Sequence, residues 1–322
     1  MNCQHDFPSF PLSSSDTLPS LSLTLLTSWS TIWMEGEDKL PYIQGQVTCD
    51  VGHLDEKEST FGAHCDAKGK VWSVFRLFHH RQGYSMFQPK SAVDAELAEL
   101  KKYAIFSKVN IVESNDVLLG LIGNDAQMVI DGLSDHKGDV RPIQGGNAVK
   151  IDQQRWLLVL EPESADQLCQ TIEATKVSEA LWTRLDIEAG FPFVTKAHQI
   201  EHIPQALNLQ ALGGISFSKG CYTGQETVAR AKYRGMNKRS LHIIQGKVKA
   251  PLSGEIEIER AVGDNWRSAS QLMSYHHFSD GQCIGSIVLP NNLDAQTQFR
   301  LKNEPESIWT MVPLPYSLAE DS

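Results

Sequence analysis

The stretch that decides the fold is Lys219-Gly220-Cys221-Tyr222-Thr223-Gly224-Gln225-Glu226, the densest local signal in the chain. Thr223 and Glu226 are spaced as a capping box. The pattern predicts a helix through Val228 and Ala231 to about Arg234, capped by Thr223 and closed by Gly235. Cys221 then sits two residues before a helix N-terminus, where the positive end of the dipole favours a thiolate. Lys219 adds a positive charge, and Gly220 removes a side chain that would shield the sulfur. Cys221 is therefore a candidate functional thiol, against the ordinary alternative of a buried, inert cysteine. Both readings stay open on the residues alone.

Downstream, Arg230, Lys232, Arg234, Lys238, Arg239, Lys247 and Lys249 occur with no acidic residue between Glu226 and Glu255. They suit either a groove for an anionic ligand tail or RNA phosphate, or a helix C-terminus answered by cations. Beyond about residue 240 the character changes. Glu255-Ile256-Glu257-Ile258-Glu259 alternates with period 2, and Asp280-Gly281 signals a hairpin. Residues 283–289 and 307–312 read as strands, which predicts a small all-β barrel or sandwich over residues 240–322.

Upstream, residues 1–239 read as an α+β body. A strand precedes the turn at Gly36, a short helix follows from Glu37, and strands cover residues 60–64 and 71–78 around a Lys68-Gly69-Lys70 turn. Val93, Leu97, Leu100 and Ala104 recur at helical spacing over residues 91–106, with Ser91 and Asp94 as a start signal. Strands follow at 108–113, 117–122 and 149–160, and Ser164 with Gln167 opens another helix. No internal repeat or low-complexity tract interrupts the 322 residues.

The net charge of −10 disfavours strong non-specific binding to nucleic acid. Six cysteines without a CxxC pair predict free thiols, and the histidines show no ligand spacing, so no metal site is expected. Glycine-rich nucleotide fingerprints and the G-x-S-x-G elbow are also missing. The N-terminus lacks a basic segment, and its first apolar run is too short for a signal or a membrane span, so a cytoplasmic location is expected. Among seven tryptophans, Trp182 stands out because it precedes Arg184-Leu-Asp-Ile-Glu188-Ala-Gly190. Glu188 in that apolar setting could accept hydrogen bonds from an amino-pyrimidine edge, or simply pair with Arg184 at i, i+4.

The octapeptide resembles the K-G-C-[YF]-x-G-Q-E pattern of the YgfZ family of folate-binding proteins. The likeness continues through Gly36-Glu-Asp38, Tyr42-Ile-Gln-Gly-Gln-Val-Thr48, Leu100-Lys-Lys-Tyr103, Ile187-Glu-Ala-Gly-Phe-Pro192, Asn208-Leu-Gln-Ala-Leu-Gly-Gly214 and Pro313-Leu-Pro-Tyr316, covering about residues 20–318. That family is similar in fold to the aminomethyltransferase, or T-protein, of glycine cleavage. The resemblance implies an α+β body of interlocked domains around a central hole, then a β-barrel. It further implies tetrahydrofolate or a derivative as cofactor, held by Trp29 and Trp182 with Glu188 as a third contact.

The implied role is an accessory one. The chain would support iron–sulfur enzymes such as tRNA methylthiotransferases, and thereby the modification of some tRNAs, as a monomer without membrane contact. The alternative is a folate-dependent one-carbon transferase or demethylase. One departure counts against it. The transferase takes its catalytic aspartate from just after a glycine turn, whereas Gly69-Lys-Val-Trp-Ser-Val-Phe75 carries no carboxylate and Asp66 precedes the turn.

Overall fold

The chain lays down one strand, leaves it, and returns to it about a hundred residues later. In the computed structural model, which describes residues 7–318, β1 (Ser22–Leu25) pairs antiparallel with β7 (Val117–Ile122) and parallel with β11 (Thr175–Val177). With β10 (Arg155–Leu160), β9 (Gly146–Lys150) and β8 (Val140–Ile143) these make a six-stranded sheet in the order β11-β1-β7-β10-β9-β8. The intervening segment builds a separate five-stranded sheet from β3 (Ser59–Cys65), β4 (Val71–His80), β5 (Gly83–Pro89), β2 (Trp29–Glu35) and β6 (Asn110–Glu113), in that spatial order. Because the six-stranded sheet is interrupted by the whole of the five-stranded one, the two halves of the body are interlocked.

Among the described residues six α-helices pack on these sheets: α1 (Lys39–Gln44), α2 (Lys90–Lys102), α3 (Ala126–Leu133), α4 (Pro162–Thr171), α5 (Ala180–Glu188) and α6 (Gln225–Tyr233). β12 (Arg239–Lys247), β15 (Gln282–Pro290), β14 (Asn265–His277), β13 (Glu257–Val262), β16 (Phe299–Leu301) and β17 (Glu304–Val312) then close into a barrel. Closure leaves no exposed strand edge. Its interior is filled by Trp309, Phe299, Ile244 and Leu289. The expected α+β body followed by a C-terminal β-barrel is what the chain forms. Among the described residues no helix is long and apolar enough to cross a membrane.

Body and barrel share a core in which Val74, Leu207 and Val228 meet Leu241, Met273 and Val288. Asn208 fixes the joint. Its left-handed backbone (φ 60°) turns the side chain toward β12. There Nδ2 donates to the Leu241 carbonyl at 2.9 Å, and Oδ1 accepts from the Leu241 amide at 3.0 Å. Tyr316 adds a latch, its hydroxyl donating to the Gly190 carbonyl at 2.6 Å and accepting from Asn208 Nδ2 at 3.1 Å.

Several local expectations are corrected. The 149–160 run is two antiparallel strands, because Asp152-Gln153-Gln154 forms a turn between them. No side-chain cap forms at α2, α4 or α6. Pro162 opens α4 from its first turn, where a missing N–H costs nothing. Gly224, at φ 82°, takes the place expected of Thr223, since a Cβ there would come within 2.6 Å of the Asp66 carbonyl. Cys49, Cys65, Cys221 and Cys283 are free thiols as expected. Cys3 lies outside the described residues.

Gly120 on β7 faces the indole of Trp182 so closely that a Cβ would approach Cε3 to 2.5 Å. Gly120→Ala is expected to lower stability by about 1–3 kcal/mol through overpacking, read as a lower urea midpoint with unchanged slope.

Candidate functional site

Where body meets barrel, a cavity of about 420 Å³ is lined by Trp29, Pro89, Asp186, Phe191 and Phe193 from the body and Met273 from β14. Trp29 is the first residue of β2. Its ring stacks on Phe87 at 4.6 Å and 13°, and meets Phe193 edge-on at 4.6 Å and 89°. Neighbouring aromatics thus hold the half-buried indole rigidly at the cavity wall. A mostly apolar hollow with a few fixed polar groups is the usual form of a small-molecule site.

The other two residues assigned to the ligand do not face this hollow. Trp182 is fully buried, with Gly120 on one side and the Arg155 guanidinium 4.9 Å from its ring. It has no surface for a ligand to stack on, because the missing side chain at Gly120 draws the indole into the core. Glu188 accepts from Arg184 Nε at 2.8 Å, the i, i+4 pair left open in the sequence, and does not line the cavity.

The carboxylate at the cavity is Asp186, two residues earlier on α5, which sequence reading passed over. Arg155, wholly buried, donates Nη1 to Asp186 Oδ1 at 2.6 Å and Nε to Asp152 Oδ2 at 2.7 Å. Asp186 Oδ2 is buried and has no hydrogen-bond partner. Burial raises the Asp186 carboxyl to about 6 from its ordinary 3.8, against the pull of Arg155. Only the spacing of an acidic residue on an otherwise buried helix, with an arginine arriving from β10, would have marked it.

Cys221 is exposed and lies on a loop away from the cavity lining. That loop is docked on the 45–49 segment. Thr223 donates its amide to the Gly45 carbonyl at 3.1 Å, and Lys219 Nζ donates to the Val47 and Cys49 carbonyls, each at 2.7 Å. The ammonium expected beside the thiol is therefore committed to backbone oxygens, and burial lowers Lys219 to about 8. Glu226, expected to reach back to the cap, instead pairs with Arg230 at 2.5 Å. A Cβ at Gly220 would meet nothing within 4 Å, so the approach to the sulfur is open. Cys49 and Cys283 are pushed up to about 12, and Cys65 higher still, each chiefly by burial. Asp66, before the glycine turn, accepts from the Lys68 and Lys70 amides at 2.9 and 2.8 Å and is spent on the turn. Among the described residues no group of three or more His, Cys, Asp or Glu is placed to hold a metal ion.

The sequence matches the family described as "YgfZ, beta-barrel domain" over residues 237–304. It is 55% identical over 323 residues to the "tRNA-modifying protein YgfZ" of Vibrio atlanticus, covering 100% of both chains. A protein of the same description from Photobacterium profundum is 51% identical over 319 residues, covering 97% of each. Among solved structures, the glycine cleavage system aminomethyltransferase T from Bartonella henselae superposes with a TM-score of 0.68 at 14% identity, over 94% of this chain and 88% of that one. At that identity the likeness is one of fold.

Two expected outcomes follow from the geometry. Between pH 4 and 6 the native state holds the Asp186 proton and the unfolded state releases it. The contribution to stability is thus full below about 4 and lost as pH rises through about 6. Unfolding wild type and Asp186→Asn in urea at pH 4.5 and pH 7 is expected to shift the stability difference against wild type at the higher pH. Iodoacetamide at neutral pH is expected to label Cys221 before Cys49, Cys65 and Cys283, read by peptide mass mapping of the native protein.

Proposed function

The chain belongs to the YgfZ family, and from that premise we propose that it is a folate-binding accessory protein. It supports iron–sulfur enzymes and, through them, the modification of some tRNAs, methylthiolation in particular. The observation that carries the folate reading is the cavity at Trp29. It is large enough for a flat heterocycle, walled by aromatic rings, and served by one carboxylate. A pteridine ring laid along the Trp29–Phe193 wall gains contact area and ring–ring attraction. The relatives' description as tRNA-modifying proteins supports the second half of the reading. The net charge of −10 supports an effect exerted through partner enzymes in preference to tight RNA binding.

The aminomethyltransferase-like fold favours a second reading, folate-dependent one-carbon transfer. Such transfer needs a group to move protons at the reacting nitrogen. The turn from which the transferase supplies its acid has only Asp66 here, already bound to two backbone amides. Formation of methylenetetrahydrofolate from a methylamine donor and tetrahydrofolate would establish the transferase; its absence with folate bound would leave the accessory role.

In a tetrahydrofolate titration followed by tryptophan fluorescence, Trp29→Ala is expected to weaken binding by about tenfold or more, with the circular dichroism spectrum unchanged. Trp182→Ala is expected instead to cost about 3–5 kcal/mol of stability, as a large core deletion does. Unaltered affinity in Trp29→Ala would mean that the ligand binds elsewhere. Cys221→Ser is expected to retain folate affinity yet fail to restore methylthiolated tRNA in a strain lacking the protein. Full restoration would return Cys221 to a passive role.

A further inference from the structure

An acidic chain carries one basic corner. Between Glu226 and Glu255 the sequence has no carboxylate, and the fold adds cations to that stretch from elsewhere. The Lys68-Gly69-Lys70 turn packs on the start of α6, where a Cβ at Gly69 would meet Thr227 at 2.7 Å. Arg239, at the head of β12, and Lys70 both stand near His202, whose imidazole is brought down to about 4 by burial and then by their charges. Segments distant in sequence thus place Lys68, Lys70, Arg230, Arg234, Lys238 and Arg239 along α6 and its exit loop. The neighbouring carboxylates are engaged: Glu226 with Arg230 at 2.5 Å, Glu201 with His202 at 3.6 Å, and Asp66 with its own turn. Among the described residues, Lys68, Arg234 and Lys238 are exposed and have no ion-pair partner. Cations that merely answered a helix C-terminus would stop with α6. Arg230 and Lys232 fit that role, whereas Lys68, Lys238 and Arg239 belong to other segments.

The loop leaving α6 is also apolar where solvent meets it, Tyr233 being 69% and Met236 60% exposed. Phe217 braces the Tyr233 ring edge-on at 6.1 Å and 73°, and Lys232 Nζ lies 4.1 Å from the Phe217 centroid. Asn291 pins the end of the loop, its amide donating to the Lys238 carbonyl at 2.9 Å and its Nδ2 to the Asn237 carbonyl at 3.3 Å. A braced, exposed ring among unanswered cations serves both parts of a nucleotide, the phosphate by charge and the base by stacking.

We propose that this corner is a contact site for RNA, with phosphates on Lys68, Arg234 and Lys238 and an unpaired base stacked on Tyr233. The track follows one nine-residue helix, about 13 Å long, and its exit loop. A strand of polyanion fits so narrow a track, whereas a stable protein interface spreads over about 800 Å² per partner. The charge of −10 on the whole chain keeps the contact weak and confines the RNA to this face. The site shares no residue with the lining of the Trp29 cavity, so the inference stands apart from the folate reading. To the tRNA half of the proposed function it adds that the chain touches the polymer directly.

The test titrates labelled, unfractionated tRNA with the full-length protein, read by fluorescence anisotropy from about 20 to 200 mM salt. Wild type is expected to bind at low salt and to lose affinity steeply as salt rises. Arg234→Ser combined with Lys238→Ser is expected to weaken binding by about tenfold or more and to flatten the log–log salt slope by about 2. Tyr233→Ala is expected to weaken binding by about fivefold or more with the slope unchanged. Lys247→Ser combined with Lys249→Ser removes the same charge beyond the far end of the corner, and is expected to change neither. Wild type that fails to bind tRNA at the lowest salt overturns the proposal. So does a Lys247 and Lys249 pair that matters as much as Arg234 and Lys238, since net charge alone would then be at work. Poly-L-glutamate that displaces tRNA, with Tyr233→Ala binding as wild type does, also overturns it and assigns the corner to an acidic protein face. Tetrahydrofolate is expected to bind all these variants like wild type, so the folate reading stands or falls separately.

Discussion

Asn208 carries the joint on which the rest of the molecule depends. A left-handed backbone lets its amide act as a short piece of β-ladder, giving and taking one hydrogen bond with Leu241. Asparagine tolerates that conformation better than most residues, and its planar amide carries N–H donors beside a carbonyl acceptor. Because both bonds are buried, tilting the barrel would strand four polar groups in an apolar core. The Tyr316 hydroxyl ties the same amide to Gly190 at the end of α5. The chain thus ties body, barrel and C-terminal segment together at a single side chain.

A second constraint lies one layer deeper. Arg155 is fully buried and must be paired, since a lone guanidinium in that setting would be strongly unfavourable. Asp152 comes from its own hairpin, three residues away, and Asp186 from α5. Trp182 lies against the guanidinium, and Gly120 makes room for Trp182. This chain of contacts connects the six-stranded sheet to the cavity wall. It explains why Trp182 is held in the core, between Gly120 and the Arg155 guanidinium.

The exposed thiol and the cavity are separate places on the protein. Lys219, Thr223 and Gly224 fix the Cys221 loop against the 45–49 segment and the Asp66–Lys70 turn, while the sulfur itself stays open to solvent. The loop is rigid beneath and accessible above.

The α+β body and the C-terminal barrel were legible in the sequence, because both follow from patterns a few residues long. Period-2 runs, a 3.6-residue stripe over α2 and the Asp280-Gly281 turn depend on near neighbours only. Trp29 had no local mark of its own, and only the resemblance in motif order singled it out. What the sequence left undecided concerns contacts between distant segments. The burial of Trp182 on α5 depended on Gly120, on a strand far upstream. The start of α6 depended on the closeness of Asp66 to Gly224. Asp186 had no local mark at all, for an aspartate looks the same whether its second oxygen meets water or is buried without a donor. Sequence determined which elements form, since those are set by local periodicity. Only the tertiary structure decided which polar atoms remain unpaired, since that depends on everything packed around them.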